Sequence, residues 1–70
     1  MATSITVRLN DSDVELPAGA TVQSLVEHVG VEVRGTAVAR NGEVAPRSQW
    51  PETRLADGDH VELLSVARGG

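Results

Sequence analysis

The 70-residue chain contains no cysteine, no lysine, no phenylalanine and no tyrosine, and a single tryptophan, Trp50. Each absence removes a class of function. Without cysteine there is no disulfide framework, no cysteine nucleophile and no zinc site of the common thiolate kind. Nor can a side-chain thiol hold sulfur as a persulfide. A small domain without disulfides suits a reducing compartment. Without lysine the only amine is the N-terminus, so the chain is a poor acceptor of an isopeptide bond, although its own C-terminus could still be donated. A net charge of −4 lacks the basic footprint of nucleic-acid binding, and one aromatic ring makes no platform for stacking bases. No run approaches the ~20 apolar residues of a membrane span, and the opening MATSITVRLN has no apolar core of signal-peptide length. The cytoplasm is the expected location, with neither nucleic acid nor membrane as a partner.

What remains is enough for one small globular domain. Hydrophobic residues make up 40% of the chain and charged residues 23%, so disorder is not expected. A domain this short buries only about 60% of its unfolded surface, and its core must be thin. SITVRL alternates, with Ile5, Val7 and Leu9 on one face and Thr6 and Arg8 on the other. That is a half-buried strand. The polar cluster Asn10 to Asp13 is a turn, and VELP is a second strand that Pro17 ends, giving a hairpin.

In TVQSLVEHVG, Thr21 can cap a helix. Val22, Leu25, Val26 and Val29 recur at helical spacing as one stripe, and Gly30 suits a left-handed C-cap. Valines make this a weak helix alone, so packing must hold it. TAVAR is a third strand, Asn41-Gly42 is a strong hairpin signal, and Glu43 to Ala45 is a short fourth strand. PRSQWPETRL is read as a turn or a 3₁₀ piece bracketed by Pro46 and Pro51. Asp57-Gly58-Asp59 is a turn into the last strand, HVELLSV.

The order β-β-α-β-β-β, with one helix over one face of a mixed sheet, predicts an α+β chain of β-grasp architecture. The first and last strands alternate most strongly and should lie side by side in the centre. The expected core is Ile5, Val7, Leu16, Val22, Leu25, Val26, Val29, Val38, Leu55, Val61 and Leu63. The domain is assigned to residues 1–66 and a thin arm to residues 67–70.

Few side chains suggest chemistry. His28 and His60 have no cysteine partners and no histidine mate, so no metal site is expected. No Ser-His-Asp spacing or phosphate-binding glycine loop is present, which argues against an enzyme with its own active site. Asp57 and Asp59 read as turn residues bonding nearby backbone. Trp50 reads as half-buried over a sheet edge with its N–H bonded, or as a partner contact. Leu64 is more informative. If Val61 and Leu63 face the helix, Leu64 lies on the opposite sheet face, with Val66 following toward the tail. Scattered exposed apolar residues are common; the alternative is a docking patch.

The terminus SVARGG admits two readings. One is a frayed end. The other is a reactive carboxylate on an arm thin enough to enter another protein's pocket, because glycine has no Cβ. The β-grasp pattern and the apolar pair beside the tail favour the second.

NGEVAPRSQW, LADGDHVELL and the terminal RGG together resemble the sulfur-carrier family of thiamine (thiazole) biosynthesis, ThiS, within the ubiquitin-like superfamily. The likeness runs from Ile5 to Gly70. The DGD turn, the apolar last strand and the Gly-Gly end are shared with the small subunit of molybdopterin synthase, whereas Asn41 to Trp50 is more specific to the thiazole branch. The resemblance implies that a ThiF-like adenylyltransferase uses ATP and magnesium, held by that partner and not by this chain, to adenylate the Gly70 carboxylate. A sulfur-transfer enzyme carrying a persulfide then gives a terminal thiocarboxylate, and a ThiG-like thiazole synthase takes up the sulfur. In this scheme Gly70 bears the reactive group, Gly69 gives access, Arg68 and Ala67 thread the channel, and Leu64 and Val66 dock on both partners. Other readings stay open on sequence: a sulfur carrier for molybdopterin or amino-acid biosynthesis, a protein modifier conjugated through Gly70, or an interaction module with an idle tail.

Overall fold

Alternation decides where the strands form. In the computed structural model, which describes residues 3–65, Ser4–Leu9 forms β1 and Ser12–Pro17 forms β2, paired antiparallel with Ile5 opposite Leu16 and Val7 opposite Val14. These four apolar side chains share the inner face. The turn between the strands is only Asn10-Asp11, two residues shorter than the polar cluster suggests. Asn10 takes a left-handed φ of 54°, a region that asparagine tolerates better than most residues, and this closes the hairpin early.

Helix α1 covers Val22–Val29. Thr21 caps it reciprocally with Ser24: the Ser24 amide donates to Thr21 Oγ1 at 3.2 Å, and the Thr21 amide donates to Ser24 Oγ at 3.3 Å. Gly30 ends it at φ 85°, its amide bonded to the Val26 carbonyl. Val22, Leu25 and Val26 are buried. Val29 is not in the core; it is 39% exposed, because it is the last helical residue and the chain turns away at Gly30.

β3 (Thr36–Arg40), β4 (Glu43–Ala45), a 3₁₀ helix η1 (Arg47–Glu52) and β5 (His60–Ser65) complete the order. Asn41 and Gly42 carry positive φ of 50° and 87°, the pair that a tight twisted hairpin requires. The sheet runs β2-β1-β5-β3-β4, with β1 and β5 parallel at the centre and all other neighbours antiparallel. The first and last strands therefore lie side by side, as the alternation predicts.

The core joins the inner sheet face to α1. It contains Ile5, Val7, Leu16, Val22, Leu25, Val26, Val38, Leu55 and Val61, and also Ala20, Ala45 and Trp50. Leu63 is half-buried and packs against it, since β5 at that point has passed the end of β1. Trp50 is 1% exposed, buried rather than half-buried. η1 packs against α1 and carries the ring inward, where its N–H donates to the Ala45 carbonyl at 2.8 Å. No described helix is long and apolar enough to cross a membrane.

Candidate functional site

Strand phase sets the outer face. Val61 and Leu63 point toward the helix side, so Glu62 and Leu64 point away. Leu64 is 67% exposed, which agrees with the phase deduced from the sequence. The antiparallel register places Ala37 opposite Leu64 and Ala39 opposite Glu62 on β3, and Val44 of β4 opposite Ala39. Val44 is 75% exposed. Leu64, Val44, Ala37 and Ala39 thus form one apolar patch. With Asn10 and Glu62 they line a shallow depression of about 370 Å³. The two alanines make the floor low, and Leu64 and Val44 stand above it. Val44, Ala37 and Ala39 escape a residue-by-residue reading. Their signal is the same period of two that identifies Leu64, once TAVAR and EVA are paired.

The patch lies on the β3–β4 side of the outer face. The β1–β2 side is polar: Thr6 and Arg8 of β1 lie opposite Glu15 and Asp13 of β2. Arg8 and Asp13 are 3.9 Å apart and largely exposed, a pairing that adds little stability.

Two clusters fix β5, the strand that leads to the terminus. At its start, Asp59 is 8% exposed. It accepts from Arg40 Nε at 3.0 Å, Asn41 Nδ2 at 3.1 Å and the Ala56 amide at 2.8 Å. Burial alone would raise its pKa. The Ala56 amide, the Asn41 side chain and Arg40 outweigh that and lower it. Asn41 also accepts from the His60 amide at 2.9 Å through Oδ1. Asp57 does not bond nearby backbone: its Oδ1 accepts from the Thr6 amide at 2.8 Å, far away in sequence. Near the end of β5, the Asn10 side chain meets Leu63. The Ala56 amide on Asp59 is the nearby-backbone bond expected of the turn, whereas the links to Arg40, Asn41, Thr6 and Leu63 cross between segments remote in sequence and do not show in the turn residues alone.

His28 lies in the last turn of α1 and His60 opens β5. The described residues contain no group of three or more His, Asp or Glu suited to a metal ion. Val66, Ala67, Arg68, Gly69 and Gly70, five of the residues singled out in the sequence, lie outside the described residues.

A five-stranded mixed sheet with one helix across a single face, and an apolar outer patch beside the strand that runs to Gly-Gly, define a ubiquitin-like β-grasp protein. The ThiS family matches residues 3–70. The sulfur carrier protein ThiS of Escherichia coli is 36% identical over 64 residues, covering 91% of this chain and 97% of that protein. A thiazole synthase of Paramagnetospirillum magneticum is 34% identical over 62 residues, 89% of this chain but 19% of that one. The crystal structure of the thiamine biosynthesis protein ThiS from Geobacter metallireducens superposes with a TM-score of 0.79 at 26% identity, covering 94% of this chain and all of that one. The chain belongs to the ThiS family.

Proposed function

We propose that this chain is a sulfur carrier, not itself an enzyme, whose reactive group is the Gly70 carboxylate. A carboxylate oxygen attacks the α-phosphate of ATP in a partner adenylyltransferase, and pyrophosphate leaves. The persulfide of a sulfur-transfer enzyme attacks the acyl-adenylate carbonyl, and AMP leaves. Thiol reduction of the S–S bond so formed gives the terminal thiocarboxylate. Near neutral pH this is a better nucleophile than a carboxylate, and thiazole synthase takes its sulfur for the thiazole moiety of thiamine.

The supporting observation is the family match, which runs through the Gly-Gly sequence to residue 70, with a relative named as a sulfur carrier over nearly its whole length. A segment similar to this chain also occurs within a thiazole synthase, which supports thiazole synthase as the client. The outer patch supplies docking: Leu64, joined by Val44, Ala37 and Ala39, rests on each partner in turn, and Val66 is assigned to the same contact. Ala67 and Arg68 then thread the access channel, and Gly69 lets Gly70 reach the nucleotide.

Deletion of Gly70 tests the assignment. The shortened chain should keep its circular dichroism spectrum and melting temperature, yet support no ATP–pyrophosphate exchange by the adenylyltransferase. Full exchange with the folded deletion variant would overturn the role of Gly70.

A further inference from the structure

β5 carries the chain toward residues 66–70, and its two sides are held differently. β3 accompanies it from Arg40 opposite Val61 to Thr36 opposite Ser65. β1 accompanies it for two residues, Arg8 opposite His60 and Leu9 opposite Val61, before turning into β2. Along a strand, alternate residues present their N–H and C=O to the same side. Val61 and Leu63 both face β1. The Val61 carbonyl accepts from the Asn10 amide at 2.9 Å, and there the β1 backbone is spent. The Asn10 carboxamide takes the next place. The Leu63 amide donates to Asn10 Oδ1 at 3.1 Å, and Asn10 Nδ2 donates to the Leu63 carbonyl at 3.4 Å.

A carboxamide offers a donor and an acceptor, as a peptide unit does. Asparagine also tolerates the left-handed backbone found at this turn. Aspartate would accept from the Leu63 amide but could not donate to its carbonyl. Glycine would keep the turn and lose both bonds. The two requirements, positive φ and a peptide-like side chain, meet in asparagine.

We propose that Asn10 is a positioning residue for the carrier reaction. Its carboxamide adds one rung to the β1 side of the sheet and fixes the direction in which β5 leaves the domain. The inference rests on Gly70 being the reactive end. With Leu63 held on the β1 side and Glu62 and Leu64 paired to β3 on the other, Leu64 stands in register with Ala37 and the path toward the tail starts from a fixed point. Less freedom is then lost when a partner docks. Loss of this rung should therefore weaken capture of the carrier more than the chemistry that follows.

Asn10→Gly and Asn10→Asp test this in the full chain. Amide hydrogen exchange at Leu63 is compared with that at Leu25, whose amide bonds to the Thr21 carbonyl in the helix. ATP–pyrophosphate exchange with the adenylyltransferase gives KM and kcat for the carrier. In Asn10→Gly, Leu63 should exchange on the order of five- to tenfold faster, the loss of about one hydrogen bond, with Leu25 unchanged. KM should rise by a similar factor at constant kcat, and Asn10→Asp should recover most of the Leu63 protection. Unchanged Leu63 exchange, equal acceleration at Leu25, or an unchanged KM on a wild-type chain that is adenylated would each overturn the role of Asn10 alone. A wild-type chain that is no substrate would overturn the carrier reading and this role with it, whatever the exchange at Leu63.

Discussion

Arg40 Nε lies 3.0 Å from Asp59 Oδ2, joining the end of β3 to the entry of β5. Asp59 is buried and Arg40 is partly exposed. The same carboxylate holds the Ala56 amide and the Asn41 side chain. The neighbouring residues are sewn to β1, since the Thr6 amide donates to Asp57 and the Gly58 amide donates to the Thr6 carbonyl, both at 2.8 Å. The DGD turn is thus a fastener between the central strands as well as a change of direction.

Asp59→Ala should lower unfolding free energy by about 1–3 kcal/mol, because buried donors lose their acceptor. Urea denaturation at neutral pH measures this. The pH dependence has a definite sign. The folded-state pKa of Asp59 lies below its ordinary value, so folding favours the charged form. Its contribution is fully present above the unfolded pKa of about 3.9 and is lost as pH falls through the folded value. The wild-type urea midpoint should fall below about pH 4, and Asp59→Asn should show a shallower fall. Equal slopes in the two proteins would show that Asp59 does not carry this linkage.

Leu64→Asp and Val44→Asp place a charge on the apolar outer patch. Neither side chain supports the core, so each variant should lose less than about 1 kcal/mol of stability. Partner binding should weaken by about tenfold or more, as truncation of an interface anchor does. Calorimetric titration with the adenylyltransferase and thermal unfolding together decide the matter. A sharp fall in melting temperature for Leu64→Asp would mean that Leu64 faces the core.

Trp50 is the largest buried side chain and the sole aromatic ring. Trp50→Ala should cost about 3–5 kcal/mol, close to the whole stability of a domain this small. Trp50→Phe keeps most of the volume but removes the indole donor from the Ala45 carbonyl, which keeps its ladder bond to β3, at about 1 kcal/mol. Thermal circular dichroism reports both. A Trp50→Ala variant as stable as wild type would show that the ring serves a surface.

Local pattern carries far in this chain. Ile5-Val7, Val61-Leu63 and the stripe from Val22 to Val26 each declare their buried face through period alone, and Asn41-Gly42 declares its hairpin. Leu64 could be assigned to the outer face on phase. Val29 could not be excluded from the core, since its spacing is perfect and only the length of the helix leaves it at the rim. Trp50 has no local signal at all. Its burial depends on η1 folding back against α1, and the proline-rich stretch carries no period that says so. The links Asn10–Leu63, Asp57–Thr6 and Asp59–Arg40 join residues brought together by the strand order itself. They exist because β5 lies between β1 and β3.

The most direct test is the intact mass of the full chain after incubation with its adenylyltransferase, ATP, magnesium, cysteine and the sulfur-transfer enzyme. The carrier reading predicts a mass gain equal to one oxygen exchanged for sulfur, mapped to Gly70 and abolished without ATP. An unchanged mass, with the same enzymes shown to act on a control carrier, would contradict it.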